Sequence, residues 1–106
     1  MNRRPAEVAP AALPIDDALR DSAPLARLRE RLDDSQRRFA AIQDVLPAPL
    51  AAMVSAGPVD DAGWTLLAAN AAAASKLRQL QPSIEQRLRE RGWPMVVTRV
   101  RVQATP

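Results

Sequence analysis

The sequence has no cysteine and no histidine among its 106 residues. The first absence excludes disulfides, thiolate metal sites and thiol nucleophiles. The second removes the commonest general base and the commonest metal ligand. Tyrosine is also missing, and only Phe39, Trp64 and Trp93 are aromatic. Ser22, Ser35, Ser55, Ser75 and Ser83 have no histidine to activate them, and none lies in a G-x-S-x-G elbow. The paired carboxylates Asp16/Asp17, Asp33/Asp34 and Asp60/Asp61 read as solvated turns or helix surface rather than general acid–base pairs. No catalytic residue, metal ligand or cofactor site is assigned, and no small-molecule substrate is expected.

No apolar run approaches the roughly 20 residues that span a bilayer. Residues 1–24 carry Arg3 and Arg4 but lack a continuous apolar stretch of the signal-peptide kind. A cytoplasmic protein with no membrane partner is expected. The length allows one domain plus a tail. Hydrophobic residues make up 47% of the chain, but much of that share is alanine, so the core of large side chains must be modest.

The net charge of +3 hides an uneven distribution. Residues 1–23 carry three arginines and four acids, and residues 24–63 carry five arginines and six acids. Residues 64–106 carry Lys76, Arg78, Arg87, Arg89, Arg91, Arg99 and Arg101 against only Glu85 and Glu90. That surplus of five is where an anionic partner is attracted, through long-range potential and release of phosphate counterions. Arginine supplies 14 of the 15 cations, so a solvated face on an arginine-rich protein is the alternative. The clustering favours a functional patch, and these seven cations are the candidate nucleic-acid or partner-binding residues.

Residues 1–23, with Pro5, Pro10 and Pro14, show no sustained period of large apolar residues and read as a disordered or loosely docked tail. Pro24 is a favourable first helical position. From there Leu25, Leu28, Leu32, Phe39, Ile42 and Leu46 recur at three- and four-residue spacings, with Ser35 as the one polar break. An amphipathic helix of about 20 residues is expected, packed on its own domain rather than on a coiled-coil partner. Pro47 and Pro49 stop it. Residues 55–59 form a weak edge strand, Asp60 to Gly63 a turn, and residues 64–69 a stronger strand, giving a hairpin.

Asn70 caps an alanine-rich helix that buries Ala73, Leu77 and Leu80. Pro82 is read as a break, after which a second helix buries Ile84 and Leu88 and ends at Gly92. Trp64 is read as a core or hairpin residue and Trp93 as a plug over the helix end. The closing segment, residues 94–103, alternates valine with arginine as a strand with one buried face. The order α-β-β-α-α-β predicts a two-layer α+β sandwich with a three-stranded mixed sheet and helices on one face.

That order is similar to the type II KH fold. The segments Gly63-Trp64-Thr65-Leu66-Leu67, Asn70 through Leu80, Pro82 and Arg99-Val100-Arg101-Val102 resemble the DciA-like family of bacterial proteins, over roughly residues 25–103. The resemblance implies a KH-like domain at 24–106 and an accessory role in DNA replication: binding the replicative helicase DnaB and assisting its loading on single-stranded DNA. It implies no ATPase activity, and the chain has no phosphate-binding P-loop. KH domains that clamp RNA use a G-x-x-G loop between adjacent helices. Here that junction is Gln79-Leu80-Gln81-Pro82, so any contact with single-stranded DNA is expected to be weak, electrostatic and sequence-tolerant. Family members often extend beyond this domain, whereas here the tail is expected at the N-terminus. The alternative is a KH-like single-stranded nucleic-acid-binding protein with no helicase partner.

Overall fold

The computed structural model describes residues 23–103. Helix α1 spans Ala23–Ala41, and a 3-10 turn follows at Gln43–Val45. The single-turn helix α2 covers Ala48–Ala51. Strands β1 (Val54–Asp60) and β2 (Gly63–Ala68) come next, then α3 (Ala71–Glu90) and β3 (Thr98–Val102). The chain divides into two units, residues 1–30 and 31–106, and the sheet belongs to the second. The tail expected at residues 1–23 lies, Ala23 apart, outside the described residues.

The hairpin forms where its turn chemistry placed it. Asp60 Oδ1 accepts the amides of Ala62 at 2.8 Å and Gly63 at 3.1 Å, an Asx-type turn closed by a short side chain. Gly63 sits at φ +156, and a Cβ there would lie 2.9 Å from the Val97 carbonyl oxygen. Glycine is therefore what lets the chain preceding β3 come close enough for Trp64 N–H to bond that same carbonyl at 2.9 Å. β1 pairs antiparallel with β2, from Val54 opposite Ala68 to Asp60 opposite Gly63, with a bulge between Ala56 and Val59.

β3 pairs in parallel with β2, Trp64 opposite Thr98 through Ala68 opposite Val102. A parallel pair needs a long crossover, and α3 supplies it. The sheet order is β1-β2-β3, so β2 is central and both other strands are edges. Strand alternation puts Trp64, Leu66 and Ala68 on one face, all fully buried. Leu50 of α2 and Leu77, Ile84 and Leu88 of α3 join them in a single core with Ile42 and Leu46. The opposite face carries Ser55, Thr65, Leu67, Arg99 and Arg101, of which Ser55 and Arg101 are exposed.

The α+β class and the mixed three-stranded sheet are those expected, but the helical order is not. A break at Pro82 was expected, with a helix on each side; α3 instead runs unbroken from Ala71 to Glu90 with Pro82 inside it. Proline removes one amide donor and leaves the Arg78 carbonyl without its helical partner, at a cost of about 3 kcal/mol. Leu77, Ile84 and Leu88 are each fully buried along one stripe of α3. Each such side chain contributes about 1.5–3 kcal/mol, so the stripe outweighs the proline. Pro82 itself is exposed. The final strand is also shorter than the expected 94–103.

The stripe expected along α1 is corrected as well. Leu25, Leu28 and Leu32 are exposed, the last two by 54% and 57%. The buried residues of α1 are Ser35, Arg38 and Ala41, so the position read as a polar break lies on its packed face. The reason is a polar partner: Ser35 Oγ donates to the Gly57 carbonyl at 2.7 Å and accepts the Trp64 indole N–H at 3.0 Å.

Candidate interaction surface

The seven cations singled out in the sequence fall on two elements, five on or at the end of α3 and two on β3. Asn70 starts α3 as a true N-cap, its side-chain oxygen accepting the Ala73 amide at 2.8 Å. At 3.6 residues per turn, residues eleven apart stack on the same side of a helix. Lys76 and Arg87 therefore share one flank of the buried stripe, and Arg78 and Arg89 share the other. The second flank is turned toward β3, because Gln81 and Glu85 on that side reach Thr98. Gln81 Nε2 donates to the Thr98 carbonyl at 3.0 Å, and Glu85 Oε2 accepts the Thr98 amide at 2.9 Å and its hydroxyl at 2.8 Å. Arg91 stands at the C-cap, followed by Gly92 at φ +95.

The cluster is thus not one patch, and two of its members are already matched by acids. Arg87 pairs with Asp44 of the 3-10 turn and lies 3.4 Å from Glu90. Arg99 pairs with Asp60 at 2.8 Å across the sheet, and its Nε is buried without a partner. The bond from Arg99, with the amides of Ala62 and Gly63, holds the Asp60 carboxyl below its ordinary pKa despite some burial that opposes it. Arg89 bonds Gln86 at 2.8 Å. Among the described residues no carboxylate pairs with Lys76, Arg78, Arg91 or Arg101, and all four are exposed. These four, and the exposed Arg89 whose only partner among the described residues is the neutral Gln86, are the charges available to an anionic partner.

The structure also assigns the acids. Asp60 is spent on the hairpin turn and on Arg99, and Asp34 on a buried cluster. Arg38 is 3% exposed, bonds Asp34 at 2.9 Å and the Met95 carbonyl at 2.7 Å, and lies 5.5 Å from the centre of the Trp93 ring. Trp93 donates to Asp34 as well. Burial pushes the Asp34 carboxyl up, but the bonds from Trp93 and Arg38 and the charges of Arg38 and Arg37 outweigh it. The net displacement is downward. Trp93, read as a plug over the helix end, is partly buried against the core with its indole held by Asp34 and Arg38 of α1, and Trp64 is a core residue. The Asp34–Arg38 pair went unread in the sequence although its i,i+4 spacing is that of a helical ion pair. Asp16 and Asp17 lie outside the described residues.

Beside Lys76 lies a groove of about 240 Å³, mostly apolar, lined by Pro47, Leu50, Met53 and Ala73 among others. Met53 is 40% exposed there. No helix among the described residues is long and apolar enough to cross a membrane. The protein family described as Dna[CI] antecedent, DciA, matches residues 14–102. No curated protein matches the chain.

Proposed function

The chain belongs to the DciA family, and from that membership we propose that it is a non-enzymatic accessory factor of bacterial DNA replication that binds the replicative helicase DnaB and assists its loading on single-stranded DNA. The single observation that carries this reading is the family match, which takes in every element from α1 to β3. The domain at 24–106 does this work in the cytoplasm. It holds the helicase by protein–protein contact and touches DNA weakly, without sequence preference.

The exposed cations Lys76, Arg78, Arg89, Arg91 and Arg101, which no carboxylate among the described residues neutralises, support the DNA contact, since phosphates are drawn to charge that no acid already offsets. Gln79 to Pro82 stands inside a continuous helix rather than in a loop. Backbone clamping of phosphates through a G-x-x-G loop therefore has no counterpart, and binding is electrostatic. The test is a pull-down and titration of the folded chain against the host's DnaB. A complex at micromolar concentration is expected, with faster appearance of DnaB on single-stranded DNA. Absence of any complex, with folding verified by circular dichroism, overturns the reading. The unpaired cations also favour a second reading, a single-stranded nucleic-acid-binding protein with no helicase partner. That reading requires DNA affinity that falls steeply with salt together with no DnaB complex.

A further inference from the structure

The two edges of the sheet are built differently. β1 is blunted: its bulge between Ala56 and Val59 contains Gly57 and Pro58, and proline offers no amide to an incoming strand. β3 has no such device along most of its length. Val97 accepts the Trp64 amide and Gln103 donates to the Ala68 carbonyl at 2.7 Å, so the odd-numbered residues of β3 bond inward to β2. Backbone direction alternates along a strand, and the amides and carbonyls of Thr98, Val100 and Val102 therefore point outward. At Thr98 both groups are taken by Glu85 and Gln81 from α3. At Val100 and Val102, among the described residues, nothing takes them.

We propose that the outer edge of β3 at Val100 and Val102 is a docking site for one further strand, contributed by an extended acidic segment of another protein. Main-chain bonding to Val100 and Val102 supplies the pairing, as in strand addition to an open sheet edge. Charge selects the occupant. Arg99 and Arg101 project on the sheet face away from the core. Arg99 is already paired with Asp60, and Arg101 is exposed and unpaired. Arg78 stands on the flank of α3 turned toward the same strand. An incoming strand with carboxylates at alternate positions meets Arg101 on one face. Its intervening apolar residues cover Val100 and Val102 on the other, where Val102 is 47% exposed. A second copy fits badly. Pairing two copies with Val100 opposite Val102 sets Arg101 directly against Arg101, and like charges opposite one another destabilise a ladder.

The experiment is amide hydrogen exchange by NMR on the full chain. The chain is titrated with a blocked peptide of alternating glutamate and valine, and separately with its lysine–valine counterpart. The glutamate peptide is expected to slow exchange at Val100 and Val102 at least tenfold, and the lysine peptide to leave both unchanged. Val102→Pro removes an outward amide without touching the bonds to β2, so it keeps its melting temperature and loses at least tenfold in peptide affinity. Arg101→Glu reverses the preference between the two peptides. Four results overturn the proposal: no binding at millimolar peptide, binding without slower exchange at these amides, equal affinity in Val102→Pro, or equal affinity for both peptides. Protection of the same amides in the free chain that grows with protein concentration assigns the edge to a second copy instead. Protection by an oligothymidylate but not by the peptide assigns it to DNA. Either outcome also overturns it.

Discussion

Trp93 donates its indole N–H to Asp34 Oδ1 at 2.7 Å, joining residues 59 apart in the sequence. The bond ties the segment after α3 to the middle of α1, and Arg38 completes it by pairing with Asp34 while lying over the Trp93 ring. Asp34→Ala leaves the Arg38 guanidinium buried without its carboxylate. Breaking a buried pair costs about 3–5 kcal/mol, and Asp34 keeps 20% of its side-chain exposure, so a loss near the lower end is expected. Urea denaturation followed by the fluorescence of Trp64 and Trp93 together reads it. A loss under about 1 kcal/mol would show that the cluster is only a surface arrangement.

The same carboxylate sets an acid limit. Its pKa is lower in the folded chain than in the unfolded one, so below the unfolded value the unfolded state binds more protons. Stability from Asp34 is therefore fully present above the ordinary aspartate value of about 3.9 and is lost as pH falls through the folded value. Denaturation midpoints measured from pH 6 downward are expected to drop below that point in the wild type. In Asp34→Asn the drop is shallower. Identical slopes in the two proteins would contradict the assignment.

Ser35 holds two buried groups at once, the Gly57 carbonyl and the Trp64 indole N–H. Ser35→Ala leaves both without a partner, and each unsatisfied group costs about 1–3 kcal/mol. The expected loss is therefore at least about 2 kcal/mol by thermal or chemical melt. Ser35→Thr, which keeps the hydroxyl, recovers most of it if the bonds rather than the volume matter.

What was legible in the sequence was what local chemistry dictates. The Asn70 cap, the Asp60–Gly63 turn, the Gly92 stop and the alternation of Val100 and Val102 with Arg99 and Arg101 each need only a few neighbouring residues, and each appears in the structure. What was not legible depends on partners far along the chain. Ser35 reads as a flaw in an apolar stripe until Trp64 and Gly57 are brought to it. Arg87 and Arg99 read as free charge until Asp44 and Asp60, 43 and 39 residues away, neutralise them. The seven-cation patch shrinks to five exposed charges that no acid neutralises for that reason alone.

The difference between paired and unpaired arginines is measurable on DNA. Each phosphate contact removed from a single-stranded complex lowers the slope of log affinity against log salt by about 0.7. Arg101→Gln is expected to lower the slope by about that amount and weaken all sequences alike. Arg87→Gln, whose charge is held by Asp44, is expected to leave the slope unchanged. If Arg87→Gln moves the slope as far as Arg101→Gln, the ion pair opens in the complex and the division into available and neutralised charges fails.

Pro82 separates a continuous helix from two helices meeting at a corner. In a continuous α3, replacing Pro82 by alanine restores an amide that reaches the Arg78 carbonyl and removes the ring's clash with it. The side chain is exposed, so no packing is lost. Stabilisation of about 1–3 kcal/mol is expected, since proline in a helix interior is about 3 kcal/mol worse than alanine and some of that is relieved by local adjustment. At a corner between two helices the proline would instead be restraining the unfolded chain, and its removal would cost about 0.4–1 kcal/mol. The sign of the change in the denaturation midpoint of Pro82→Ala therefore decides between the two architectures, with no need to resolve the magnitude.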